Sequence, residues 1–279
     1  MMRYVIGARG RLGHAIVREY AGQDVQSLDR AVYQAWSRPG VAGDVTRYFE
    51  GLAGAQEATI YVASGLLDPA LPQEELLGVN YHLPRNVIDG AAAIGARVIT
   101  FGTVMESLLR SKNPYIQSKT ALATYVAEAV DAGAPAAHLQ IHTLFGAGMP
   151  SPFMFLGQML AALREDRPFK MTSGRQLREY HHLDDEAGAV RKIAESSVTG
   201  VLNVSHGKPV SLRAVAESVF GAFGRDDLLC VGALAEPPEE NYQMILPPTG
   251  LLDPGAFRET LPAIAKYMQD CYSGRETQA

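Results

Sequence analysis

Tyr115 and Lys119 stand four residues apart in Tyr115-Ile116-Gln117-Ser118-Lys119. On a helix that spacing puts both on one face, one turn apart. A phenol ordinarily ionises near pH 10 and is a poor acid or base at neutral pH. A neighbouring ammonium favours the phenolate. The pair can therefore pass a proton to or from a carbinol oxygen while hydride moves at the carbon. Such a spacing is common by chance. Its place gives it weight, because it opens a helix after a strand, downstream of a nucleotide-type loop. Thr103 is the natural third member, at the carboxyl end of a strand, where open α/β sheets bind ligands. Its hydroxyl would hydrogen-bond a substrate carbonyl, or else cap a turn.

The loop is Gly7-Ala8-Arg9-Gly10-Arg11-Leu12-Gly13. Before it, Arg3-Tyr4-Val5-Ile6 reads as a buried strand. After it, Leu12, Ala15, Ile16 and Tyr20 fall at helical spacing. A strand, a glycine turn and a helix N-terminus make a cradle for a pyrophosphate. Asp29 closes the next strand 22 residues after Gly7. It would accept hydrogen bonds from the adenosine ribose, or merely form a turn. Arg9 and Arg30 could hold a 2′-phosphate, so Asp29 favours NAD while the two arginines keep NADP open. Asp44, in Gly43-Asp44-Val45, caps the next helix or serves the adenine amino group.

These residues need a frame to hold them. Strands are expected at Tyr4–Gly7, Val25–Asp29, Thr59–Ala63, Arg97–Phe101 and His138–Phe145. Helices are expected at Leu12–Tyr20, Val45–Leu52, Glu74–Ala93 and Pro114–Ala132, with Pro84 kinking the third or marking a local start. The alternation gives an α/β fold, a Rossmann-type doubly wound parallel sheet. Residues 1–150 form this dinucleotide-binding domain. Residues 151–279 form a smaller, interleaved substrate-binding region, of which about 175–205 returns to the sheet. In that half the pattern predicts a helix over Pro152–Leu163, short pieces at Pro168–Thr172 and Leu177–His182, and a helix from Asp184 to about Ser196. A strand Gly200–Val204 follows, then a helix Leu212–Phe223 capped by Ser211, an irregular Pro237–Pro248, a helix Gly255–Tyr272, and a frayed tail Ser273–Ala279.

The chain has 279 residues, 47% hydrophobic and 20% charged, with net charge -5. That is a globular composition, and the absence of a basic stripe argues against nucleic acid as a partner. Cys230 and Cys271 match no metal spacing, and no metal is expected. With no disulfide framework or signal peptide, a cytoplasmic location is expected. No apolar run approaches the ~20 residues of a membrane span. Adjacent His181 and His182 would face opposite ways on a strand, one of them packed against a sheet. Met149, Met154, Met159, Phe153 and Phe155 read as core or pocket lining. Glu106 is either a second acid/base group or a solvated loop glutamate.

Together these residues make a chain that resembles the extended short-chain dehydrogenase/reductase family, the NAD-dependent epimerase/dehydratase group acting on nucleotide sugars. The resemblance covers roughly residues 3–225. Gly7, Gly10 and Gly13 match the family's cofactor loop, and Asp29 with Gly43-Asp44-Val45 its ribose and adenine positions. Asn80 lies in a segment similar to the helix whose Asn orders the active site. Thr103, Tyr115 and Lys119 match its triad, and Phe145 its aromatic residue beside the nicotinamide. Gln176 through Asp185 is similar to its Arg-Asp-Phe-x-His-x-x-Asp segment. The resemblance implies catalysis by Thr103, Tyr115 and Lys119. It implies cofactor contacts from Gly7, Arg9, Gly10, Arg11, Leu12, Gly13, Asp29, Arg30, Asp44, Val45, Ala63, Ser64, Asn80, Tyr115, Lys119 and Phe145. Substrate contacts would come from Thr103, Met105, Thr143, Met154, Phe169 and Arg178, with Arg178 gripping the diphosphate.

Three departures stand out. Thr100-Phe101-Gly102 replaces the usual run of small hydroxylated residues before Thr103. Val104-Met105-Glu106-Ser107 replaces a Tyr-Gly. Only 12 residues separate Thr103 from Tyr115, a short loop for this family, and it takes away part of one wall of the sugar pocket. No Asp-Glu pair of the dehydratase kind follows Thr103. The expectation is therefore an NAD(P)H-dependent reductase of a keto group, at C4 of a nucleotide-linked 6-deoxyhexose. The alternatives are a nucleotide-sugar epimerase that keeps its NAD, and a non-catalytic nucleotide-sensing binder. A homodimer is implied, through the helix that carries Ala121, Leu122, Tyr125, Val126 and Ala129.

Overall fold

A computed structural model describes residues 1–68, 70–108 and 113–274. The tail expected to fray lies outside them from residue 275 on, as do residues 109–112 of the short loop. The chain divides into two compact units. The first comprises Met1–Ile141 and Ala187–Val204, the second His142–Glu186 and Ser205–Ala279.

The first unit is built on a six-stranded parallel sheet with the order β10-β5-β4-β3-β1-β2. Its strands are β1 (Arg3–Ile6), β2 (Val25–Ser27), β3 (Thr59–Val62), β4 (Arg97–Thr103), β5 (Ala136–Ile141) and β10 (Gly200–Asn203). Parallel strands covered on both faces read as continuous apolar runs. All four residues of β3 and the last three of β1 are buried. Register is fixed by pairs such as Val5 with Tyr61 and Phe101 with Leu139. Helices Ala42–Glu50, Leu83–Ala92 and Pro114–Asp131 contribute Val45, Phe49, Val87, Ile88, Leu122 and Val126 to the core, against Tyr4, Ile6, Ile60, Val62 and Val98. From β1 the chain runs to β2 on one side, and β3 lies on the other. The strand order therefore reverses between β1 and β3, the kind of crevice where such sheets bind ligands.

Several local expectations need correction. Asp44 is not the helix cap: Val41 occupies that position, and Asp44 lies in the first turn, paired with Arg47. Val45 is fully buried in the core, which rules out contact with an adenine ring. Pro84 produces a π-helical turn over Gly78–His82 ahead of helix Leu83–Ala92, rather than a simple break. Its missing N–H cannot bond back to the Asn80 carbonyl, and the turn widens there. The strand expected over His138–Phe145 splits at His142. Its first part is β5, and its second, β6 (Thr143–Phe145), pairs with β9 (Tyr180–His182) in the second unit. The return to the sheet begins at Ala187, later than residue 175.

The second unit packs helices Phe155–Arg164, Leu212–Ala222 and Thr260–Tyr272 around Leu156, Leu160, Val215, Val219, Phe220, Ile264 and Met268. Besides β6 with β9 it has two further two-stranded pairs, β7 (Phe169–Lys170) with β12 (Leu229–Cys230) and β8 (Leu177–Arg178) with β11 (Val210–Ser211). Ser211 caps its helix as expected, its hydroxyl accepting from the Ala214 amide. Residues 237–248 carry no helix or strand. Helix Thr260–Tyr272 begins after a separate turn at Pro254–Ala256, so the last helix is shorter than expected.

Candidate active site

The glycine turn follows β1. Gly7 has φ +84, and a Cβ there would stand 2.4 Å from the Ser64 amide nitrogen. A Cβ on Gly13 would stand 2.3 Å from the Gly7 carbonyl oxygen. Only glycine fits either place. Gly10 is the N-cap of helix Arg11–Glu19 and has no side chain to cover the helix start. That opening, with its partial positive charge, suits a pyrophosphate. Arg11 is exposed at the helix start and Leu12 is half-buried.

The strap after β3 joins this turn to the Tyr115 helix. Ala63 donates its amide to Ile6 at 2.9 Å, and Ser64 lies against Gly7. A Cβ on Gly65 would lie 3.6 Å from Lys119 Nζ and 3.5 Å from the Asn80 side-chain oxygen. Asn80 is fully buried in the π-turn. It accepts from the Leu66 amide at 2.9 Å and donates to the Leu66 carbonyl at 2.9 Å and to Ser118 Oγ at 3.1 Å. One buried amide therefore locks the strap to the helix that carries Tyr115 and Lys119.

That helix starts at Pro114, with Asn113 capping the Tyr115 amide at 2.9 Å. Proline at the first position costs nothing there, because that N–H has no helical partner. Lys119 is buried, and its ammonium donates to the Phe101 carbonyl at 2.8 Å. Burial lowers its pKa to about 8, against an opposing pull from the Glu106 carboxylate. Tyr115 is held above the ordinary phenol range, first by desolvation and then by Glu106, while a hydrogen bond from the Thr103 hydroxyl works the other way. Thr103 and Tyr115 are thus joined by a hydrogen bond, while Lys119 lies one turn along the same helix with its ammonium on the Phe101 carbonyl.

Glu106 is the residue the sequence misrepresented. Its side chain is only 1% exposed, so it is not a solvated loop glutamate. Its Oε1 accepts the Thr103 amide at 2.6 Å, and its Oε2 accepts from Gln140 at 3.0 Å and lies 3.2 Å from His138 Nε2. Burial works against its charge, but these hydrogen bonds prevail and hold the carboxyl below its usual range. The space exists because residue 102 is glycine: a Cβ there would come within 2.2 Å of both Glu106 Oε1 and His138 Nε2. His138 and Gln140 share one face of β5, two residues apart. Thr100 and Ser107 complete the network at 2.8 and 2.7 Å.

The remaining expected residues divide. Asp29 accepts from Arg9 at 3.1 Å and caps the Ala31 amide at 2.9 Å. It therefore serves a turn and still presents a carboxylate at the end of β2. Arg30 is exposed beside it. The Met105 amide donates to Thr103 Oγ1 at 3.3 Å.

In the second unit, Phe145 is a core ring, 2% exposed and packed on His182 and Tyr267. Phe169 is likewise core, stacked on Phe220 at 5.6 Å. Both rings are already covered by protein, so neither has a face left for a ligand. Arg178 is ion-paired with Glu240, Thr143 gives its amide to the Glu179 carbonyl at 3.2 Å, and Met154 caps helix Phe155–Arg164.

Residues 3–205 match the NAD dependent epimerase/dehydratase family. The chain belongs to that family. It is an NAD(P)-dependent enzyme of the short-chain dehydrogenase/reductase type. No curated protein matches its sequence. Solved structures share the fold. The UDP-glucose 4-epimerase of Thermus thermophilus, in complex with NAD, is 18% identical over 98% of this chain and 99% of its own, with a TM-score of 0.72. The dTDP-4-dehydrorhamnose reductase of Bacillus anthracis, in complex with NADP, is 16% identical over 97% and 99%, with a TM-score of 0.71. TunA, an NAD dependent NDP-hexosamine 5,6-dehydratase, is 15% identical over 99% of both chains, with a TM-score of 0.73. Three different reactions stand at equal distance, so the choice among them falls to the site.

Proposed function

We propose that this chain is an NAD(P)H-dependent reductase of the C4 keto group of a nucleotide-linked deoxysugar. The observation that carries the reading is the hydrogen-bonded place of the Glu106 carboxyl beside Thr103. Tyr115, hydrogen-bonded to Thr103 and with its pKa raised by burial, suits the proton donor that reduction of a ketone needs. Glu106, the carboxylate nearest to Thr103 in sequence, is already committed to Thr103, His138 and Gln140. It is not free for the elimination a dehydratase performs.

A nicotinamide cofactor fits the opening at Gly7, Gly10 and Gly13, and when bound it supplies the hydride. The protein's part is positional and protonic. Thr103 orients the carbonyl oxygen, Tyr115 protonates it, and Lys119 stabilises the phenolate left behind. Asp29 would receive the ribose hydroxyls of NAD. For NADP, Arg9 would leave Asp29 and take the 2′-phosphate. The nucleotide-sugar substrate rests on the family and on relatives of all three reaction types. The family also supports a homodimer.

The test is a panel of 4-keto sugar nucleotides with NADH and NADPH, followed by loss of nicotinamide absorbance. Stoichiometric oxidation of the cofactor is expected. Interconversion of two sugar nucleotides with no net absorbance change would instead identify an epimerase. Tyr115→Phe should lower kcat by roughly 10²–10⁴ with the cofactor Kd little changed.

A further inference from the structure

Within the second unit, apart from the residues that surround Tyr115, a group of buried ionisable side chains remains unexplained. Glu179 Oε2 lies 3.2 Å from His181 Nε2, 3.5 Å from His206 Nδ1 and 4.0 Å from His142 Nε2. The four side chains are between 0% and 5% exposed. They come from three stretches of chain: the link between β5 and β6, the end of β8 through β9, and the segment after β10. The imidazole rings of His142 and His206 sit 5.1 and 4.8 Å from that of His181, and Phe257 covers His181 and His206 at 4.8 and 5.2 Å.

Glu179, His181 and His206 are each supported from behind. Glu186 Oε2 stands 2.7 Å from His181 Nδ1, which turns His181 Nε2 toward Glu179. A carboxylate behind a histidine is the usual way to orient a metal-binding imidazole. Ser205 donates to Glu179 Oε1 at 2.6 Å, and the His206 amide donates to Oε2 at 2.9 Å. His206 Nδ1 also receives the Lys208 amide at 3.1 Å, while its Nε2 is buried with no hydrogen-bond partner. Ligand atoms of Glu179, His181 and His206 all lie within 4.8 Å of one another. Two atoms bound tetrahedrally at about 2.0–2.1 Å from one zinc ion are about 3.3 Å apart. Glu179 Oε2 and His181 Nε2, 3.2 Å apart, are close to that spacing, and Nε2 is the ligand atom that His206 offers.

Charge points the same way. Two buried carboxylates, Glu179 and Glu186, face three imidazoles. Paired buried carboxylates call for a compensating cation, which one divalent ion would supply.

We propose that Glu179, His181, His206 and His142 form a structural site for a divalent metal of the zinc class. Imidazoles with one carboxylate suit zinc, and four protein ligands with no open position make such a site structural rather than catalytic. The ion would pin β9 and the segment after β10 to the start of β6, and would stabilise the second unit. The inference is independent of the reaction proposed above.

The test uses the full chain, purified without an affinity tag. Elemental analysis should find zinc in equimolar amount. Stripping with a chelator should lower Tm, and adding Zn²⁺ back should restore it. Co²⁺ in its place should give the visible absorption of a tetrahedral site. His206→Gln and His142→Ala should each lose the metal while keeping the circular dichroism of the stripped wild type. A wild-type protein free of metal, with Tm indifferent to Zn²⁺ and no Co²⁺ spectrum, would overturn the proposal and leave a proton-held ion cluster. So would a variant that folds and still binds metal in equimolar amount.

Discussion

Lys119 is a cation surrounded by protein, and its proton is correspondingly loose. Desolvation brings its pKa to about 8, and only Glu106 works to raise it. Reduction needs the ammonium to balance the phenolate that Tyr115 becomes. Expected, then, is a kcat/KM that falls as pH rises through about 8, since that parameter reports groups of the free enzyme. Glu106→Gln removes the opposing anion, so the same limb should move to lower pH. A limb that stays in place or moves upward in a pH–rate series would show that Glu106 does not act on Lys119. The helix that carries Tyr115 and Lys119 was legible, because the i, i+4 spacing falls at the start of a helix after a strand, downstream of the glycine turn. Glu106 was not. Its burial depends on Gly102 leaving room and on His138 and Gln140 standing on a strand more than thirty residues later. Nothing local in Met105-Glu106-Ser107 announces that.

At the scale of elements, the glycine turn and the strap after β3 make one interlocked piece. A methyl on Gly13 would meet the Gly7 carbonyl oxygen at 2.3 Å, which is backbone and cannot swing aside. Gly13→Ala should therefore weaken cofactor binding at least about tenfold, a change of about 1.4 kcal/mol, and lower Tm. Calorimetric titration with NADH and NADPH measures it. Gly188→Ala is the control: no atom lies within 4 Å of a Cβ there, and binding should be unchanged. The sequence made the sheet readable because buried parallel strands are unbroken apolar runs. It hid the division at His142, where the alternation continues from β5 into β6 without a glycine or proline to mark it. Asp44 looked like a cap because its chemistry suits one, yet the helix begins two residues earlier. Phe145 and Phe169 matched ligand positions by motif, but aromatic rings serve a core equally well, and only the packing distinguishes the two uses.

At the scale of the whole molecule, the first unit is not continuous in sequence. Its edge strand β10 pairs with β5 through Gly200 with Ala137, Val201 with His138, Leu202 with Leu139 and Asn203 with Gln140. Arg97 reaches from β4 to the carbonyl of Ile193 at 3.4 Å, and also to those of Ser196 and Val198, so the returning segment is held by side chain as well as backbone. A fragment cut at residue 150 keeps every residue of the candidate active site in the first unit but exposes the β5 edge. Unpaired edges invite association with other chains. The fragment should be far less soluble than the full chain, and in any soluble fraction the β5 amides should exchange with solvent much faster. Equal protection of those amides in the two proteins would show that β10 adds nothing.

The same edge strand sets a timetable for synthesis. Between the end of β5 at Ile141 and the end of β10 at Asn203 lie 203 − 141 = 62 residues. At about 5–20 residues per second, a ribosome takes several seconds to deliver them. During that interval the nascent chain carries five of the sheet's six strands, with β5 unpaired on the side that β10 will cover. The birth of this protein thus includes a fixed window of vulnerability, written into the order of its strands. Its yield in a cell should depend on whatever shields that side until the last strand emerges.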